Sequence, residues 1–178
     1  MTKLGATFGL TVSILVTMGS AAALANSADK KLKRTEVPAP VLATVTSKYP
    51  GAKLKSFDLE GDGGSGSPRV YEVEVMQGKA AISVDVSPEG KILAEETAIT
   101  VADLPAAVVD GLKSSKYKGW TIAKAERVVT AEKADDPAYE VMVKGKDKKG
   151  GRAKKVEVVL NKAGTITKEE AKAEHDND

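Results

Sequence analysis

Apolar and polar residues alternate with a period of two in four stretches of the chain. Tyr71, Val73 and Val75 alternate with Glu72 and Glu74, and Ile82, Val84 and Val86 with Ser83 and Asp85. Further on, Tyr139, Val141 and Val143 alternate with Glu140, Met142 and Lys144, and Val156, Val158 and Leu160 with Glu157 and Val159. This pattern predicts strands with one buried face and one wet face. Gln77-Gly78, Ser87-Pro88-Glu89-Gly90 and Asn161-Lys162-Ala163-Gly164 are turn chemistry between neighbouring runs, so those strands should be antiparallel. Leu54–Glu60 and Ile122–Thr130 alternate poorly, which predicts strands that are bulged or at an edge. Pro105, Val108, Val109 and Leu112 follow the helical period, as do Val41, Leu42 and Val45. Asp103 is the expected N-cap of the second helix, with Pro105 in its first turn.

The same order of elements occurs twice, ~70 residues apart. Val37-Pro38-Ala39-Pro40-Val41-Leu42 matches Leu104-Pro105-Ala106-Ala107-Val108-Val109. Tyr71-Glu72-Val73-Glu74-Val75 matches Tyr139-Glu140-Val141-Met142-Val143, and Gly90-Lys91-Ile92 matches Gly164-Thr165-Ile166. The expected fold is α+β: two tandem units, each one helix packed on a four-stranded antiparallel sheet. Unit 1 is assigned to 37–100 and unit 2 to 101–170, followed by a polar tail at 171–178.

Residues 1–25 read as a secretory signal peptide. Lys3 supplies the positive charge, Leu10 to Met18 the densest apolar stretch, and Ala23-Leu24-Ala25 the small residues at a cleavage site before Asn26. Retention as a membrane anchor is the alternative. Residues 26–36 are polar and carry Lys30, Lys31, Lys33 and Arg34, which predicts a flexible basic leader. The chain is therefore expected to be exported, periplasmic or secreted, without stable membrane insertion once the signal is removed.

Composition narrows the chemistry. The chain of 178 residues has no Cys and one His, which excludes thiolate catalysis, disulfides and multi-histidine metal sites. The single His175 lies in the tail. A formal net charge of +2 gives no general pull toward nucleic acid, and no nucleic-acid partner is expected.

The Leu/Val-Pro-x-x-Val helix, Tyr-Glu-Val strand, alternating strand, Gly-Lys-Ile strand and acidic end resemble the PepSY-like exported proteins, also described as β-lactamase-inhibitor-like. The resemblance covers about 37–170, most of the chain beyond the leader. It implies tandem α+β units and a non-enzymatic role, such as peptidase inhibition or envelope regulation. The outward strand positions include no aromatic residue, whereas interface hot spots favour Trp, Tyr and Arg, so β-lactamase inhibition itself is not expected.

Other motifs fall short. Asp58-Leu59-Glu60-Gly61-Asp62-Gly63 starts like a calcium loop, but the twelfth position, which should be Glu, is Arg69. Lys144, Lys146, Lys148, Lys149, Arg152, Lys154 and Lys155 form a positive hairpin tip interrupted only by Asp147. Trp120, the only Trp, either anchors a partner or caps the core beside a helix end. No nucleophile–base pair or metal cluster can be assembled, and no cofactor is expected.

The resulting expectation is an exported, non-enzymatic binding or inhibitory module. It would recognise a protein or peptide of the cell envelope, a peptidase among the possibilities, through its open sheet faces. The candidate partner-binding residues are Glu72, Glu74, Asp85, Glu140, Met142 and Glu157 on the strands, with Lys146, Lys148, Lys149 and Arg152 in the loop. The alternative is an envelope sensor or stress protein that binds a cation or an anionic polymer.

Overall fold

The computed structural model describes residues 30–61, 68–146 and 154–172. Its strands are β1 (Lys30–Lys31), β2 (Lys53–Glu60), β3 (Val70–Gln77), β4 (Ala80–Val86), β5 (Ile92–Ile99), β6 (Thr121–Thr130), β7 (Ala138–Gly145), β8 (Lys154–Asn161) and β9 (Ile166–Lys172). Helix α1 (Ala39–Lys48) precedes β2, and α2 (Ala106–Lys113) precedes β6. All nine strands form one antiparallel sheet in simple chain order.

This overturns the expectation of two tandem units, each one helix packed on a four-stranded antiparallel sheet: a single nine-stranded sheet takes their place. Ala94–Ile99 of β5 pairs with Ala125–Thr130 of β6, so the sheet runs through without a break. Separate sheets would leave the edges of β5 and β6 with unpaired backbone groups, and joining them satisfies both. Alternation within each half cannot encode this, because it fixes faces and not lateral partners.

The expected alternation places the apolar side chains on the face that carries both helices. Val41 and Val45 of α1, both fully buried, join Val73, Val75, Val84 and Val86 in one cluster. Val108 and Leu112 of α2 join Val141, Val143, Val158 and Leu160 in a second. Between the clusters this face turns polar: Glu95 of β5 accepts hydrogen bonds from the Tyr49 hydroxyl and from Lys48 Nζ.

The two poorly alternating strands are bulged. The register slips between Leu54 and Ser56 in β2, and between Ile122 and Lys124 in β6. The extra residues, Lys55 and Ala123, reset the period. Leu54 and Phe57 then both reach the first cluster, and Ile122 and Ala125 the second. Neither strand is at an edge.

Part of the segment expected as a flexible leader is also structured. Lys30–Lys31 pairs with β2, the Leu32 N–H donates to the Phe57 carbonyl at 2.8 Å, and Leu32 packs on the first cluster. Burial of Leu32 and Val37 offsets the cost of ordering this polar stretch. The cap of α2 differs as well. Pro105 occupies the N-cap, and Asp103 instead accepts from the Thr100 N–H and hydroxyl, closing a 3₁₀ turn at Val101–Asp103.

The repeated glycines dock the hairpin turns onto the helices. The Gly90 carbonyl accepts from Thr44 Oγ1 at 2.8 Å, and a Cβ on Gly90 would lie 2.9 Å from the Pro40 carbonyl oxygen. Gly164 sits on α2 so closely that a Cβ there would overlap the Ala107 carbonyl oxygen, and one on Gly111 would overlap the Gly164 carbonyl oxygen. Gly164 also has φ +82°. G164A should therefore destabilise the fold by about 2–4 kcal/mol, combining left-handed strain with overpacking. Gly51 has φ +77°, and a Cβ at this position would meet nothing within 4 Å, so G51A should cost only about 1 kcal/mol. Urea unfolding of both variants checks the contrast; equal losses would mean that the turn–helix contact contributes nothing.

Candidate functional site

No helix among the described residues packs on the opposite face of the sheet, and that face is lined with carboxylates. Pairing places Glu72 of β3 directly opposite Asp85 of β4, and Glu74 opposite Ser83. Ser83 in turn faces Glu96 of β5. Ala98 faces Glu126 of β6, and Glu126 faces Glu140 of β7. Lys124 faces Met142, which faces Glu157 of β8, and Glu157 faces Glu170 of β9. The predicted strand residues Glu72, Glu74, Asp85, Glu140, Met142 and Glu157 thus share one face across β3 to β8.

The expectation of a wet face is corrected for Glu72, Asp85, Glu140 and Glu157, while Glu74 and Met142 are half-buried. Glu72 is 8% exposed, Asp85 7%, and Glu140 and Glu157 2% each. Glu60, Glu96 and Glu126, which alternation alone does not single out, are buried as well. Side chains from four successive strands, among them Glu72, Ser83, Glu96 and Glu126, line one hollow of about 20 Å³, roughly the space of one water. Strand pairing sets these side chains next to one another across the face.

Such crowding resists ionisation. Burial pushes the Glu96 carboxyl up to about 9, and the charges of Glu140, Asp85, Glu126 and Glu72 add to it. Glu140 is raised to about 8, by burial and then by Glu157 and Glu126, with Lys124 opposing. Asp85 is raised to about 7, by burial and then by Glu72. Glu72 is also raised, chiefly by burial, although the Ser83 hydroxyl donates to it at 2.9 Å. At neutral pH, Glu96 and Glu140 therefore hold protons and Asp85 is near its midpoint.

Cations enter from one side. Lys124 Nζ lies 2.8 Å from Glu126, and Lys172 Nζ lies 3.1 Å from Glu157 and 2.9 Å from Glu170. Lys144, Lys155 and Lys172 face one another on β7, β8 and β9 at the end of the same face. Lys146 follows β7 and is exposed. Lys148, Lys149 and Arg152 lie outside the described residues. No three His, Asp or Glu side chains among the described residues converge in a way that could hold a metal ion.

Glu126 could have been found from sequence had Ala123 been recognised as an extra residue, because alternation counted from Lys124 puts Lys124 and Glu126 together. Glu96 needed the β5–β6 pairing, which places it in the middle of the sheet rather than at a margin.

The fold has counterparts among solved structures. A protein assigned to the periplasm of Bacteroides eggerthii superposes with a TM-score of 0.59 at 18% identity, over 76% of this chain and 88% of that one. A DUF2874 family protein from Bacteroides uniformis gives 0.59 at 18% identity, over 75% and 88%. A BLIP-like protein from Bacteroides fragilis gives 0.56 at 18% identity, over 79% and 91%. At this identity the likeness is one of fold. It extends to a protein described as BLIP-like and shows neither the PepSY-like family nor two tandem units. No protein-family model and no curated protein matches the chain.

The raised carboxyls make stability depend on pH with a definite sign. Between the unfolded carboxylate range near 4 and the folded values of about 7 to 9, the native state binds more protons than the unfolded chain, so stability falls as pH rises. The melting temperature should drop steadily from pH 5.5 to 9, each titrating group contributing up to roughly 1.4 kcal/mol per pH unit. E96Q should raise the melting temperature at pH 9 and flatten the profile. A melting temperature that climbs over this range would refute the assignment of protons to the face.

Proposed function

We propose that the chain is an exported, non-enzymatic binding module of the bacterial envelope, whose helix-free sheet face holds a cationic segment of a protein or peptide. The observation that supports this best is the line of buried carboxylates from Glu72 to Glu157, with Glu96 and Asp85 receiving no cation from the described residues. A lysine- or arginine-rich segment laid across it would replace like-charge crowding with paired charge and convert the held protons into ionised, bonded carboxylates. Periplasmic placement is supported by the signal-like N-terminus and by the neighbour assigned to the periplasm. A BLIP-like neighbour supports a protein as the partner. The expected contact residues are Glu72, Glu74, Asp85, Glu140, Met142 and Glu157, extended by Glu96 and Glu126.

Calorimetric titration with hexalysine tests the reading. Binding should strengthen from pH 6 to pH 9 and release protons, seen as a heat that varies with the ionisation enthalpy of the buffer. The E96Q/E140Q variant should lose at least roughly tenfold in affinity, in keeping with removal of two charge-assisted contacts. Binding that is absent at low salt, or equal for a hexaglutamate control, would refute the proposal.

A further inference from the structure

A second recognition feature lies apart from the acidic face, around Trp120. The indole is fixed on two sides. A Cβ on Gly145 would overlap the ring, so this glycine lets the indole lie directly on the β7 backbone. Tyr117 meets it edge-on, with ring centroids 5.2 Å apart. Despite this support Trp120 is only half-buried, whereas Tyr117 beside it is 5% exposed.

The indole borders two hollows of different character. One, of about 480 Å³, is walled by Tyr117, Trp120, Val156 and Ala171, with Lys116, Lys154 and Glu169 at its rim. The other, of about 300 Å³, is lined by Ser115, Lys116, Lys118 and Lys146 around Gly119 and Trp120. Lys116 is already engaged: its Nζ is 2.5 Å from Glu169 and sits 5.3 Å from the centre of the Tyr117 ring. No carboxylate among the described residues pairs with Lys118 or Lys146. An apolar chamber thus adjoins a positive one, with a supported aromatic ring between them.

We propose that this is a binding site for a small amphipathic anion, an apolar body that carries one carboxylate. The body would fill the larger hollow against Trp120 and Val156, and the carboxylate would meet Lys118 and Lys146 in the smaller one. Size and lining suit this class: small-molecule sites are concave, mostly apolar, and oriented by a few convergent polar groups. Charge complementarity sets the sign of the head group, since Lys118 and Lys146 pair with no carboxylate among the described residues and Glu169, the acid that lines the larger hollow, is committed to Lys116. A ring set down between two hollows favours a ligand that enters over insertion of the ring into a lipid surface.

Trp120 is the only Trp in the chain, so intrinsic fluorescence reads this site alone. Titration of the folded protein with monomeric octanoate should give a saturable change in Trp120 emission. Octyl glucoside, which has the same chain but no charge, and inorganic phosphate, which has charge but no body, should each act at least tenfold more weakly. The exposed double variant K118Q/K146Q should fold normally by circular dichroism and bind octanoate at least fivefold more weakly. No saturable response to octanoate, an equal response to octyl glucoside, unchanged affinity in the double variant, or a response only to phosphatidylglycerol vesicles would each overturn the proposal.

Discussion

The antiparallel pairing of β5 with β6 is the constraint on which the rest of the structure depends. It welds two runs of four strands into one sheet and thereby fixes what lies at the centre of both faces. On the helix side the centre is a polar seam, where Glu95 ties the end of α1 to the sheet through Tyr49 and Lys48. On the other side the same pairing sets Glu96 opposite Val128 and Ala98 opposite Glu126, bridging the carboxylates of β3 and β4 to those of β7 and β8. Without it, neither acidic group would be long enough to form a continuous surface.

That surface works against folding. Like charges placed directly opposite on neighbouring strands are destabilising, and Glu72–Asp85 and Glu126–Glu140 are such pairs. Removal of a carboxylate from water costs several kcal/mol unless it is neutralised, and here protons neutralise Glu96 and Glu140 while lysines pair with Glu126 and Glu157. Where local choices oppose the fold, function is the usual reason for their persistence, and the two valine-rich clusters supply the stability that tolerates them.

How much of this the sequence discloses follows from the range of each signal. Alternation in β3, β4, β7 and β8 is local, and it assigns Tyr71 and Glu72, or Val141 and Glu140, to opposite faces correctly. The matched Gly90 and Gly164 mark the hairpin turns that rest on the helices, although only the structure shows how closely. The bulges at Lys55 and Ala123 blur the pattern in β2 and β6, because one extra residue inverts every later assignment, and so Glu126 was hidden. The edge-to-edge joining of β5 and β6 has no local signature at all. Burial of the carboxylates was equally invisible, since a glutamate that alternates with valine reads the same whether water or another glutamate lies above it.

Net charge conceals the same arrangement. A chain with a formal charge of +2 looks electrostatically bland, yet its charges are sorted by position. Acids gather along the middle of the helix-free face, while Lys144, Lys155 and Lys172 collect at one end of it and Lys116, Lys118 and Lys146 around Trp120. Of these lysines Lys172 reaches Glu157 and Glu170 directly, whereas Glu96 and Asp85, in the middle of the face, form no salt bridge among the described residues. Each region therefore presents its own sign to whatever approaches. Sorting of this kind follows from strand geometry: a period of two places every second residue on one face, and a glutamate repeated at that spacing on neighbouring strands becomes a surface rather than a scatter.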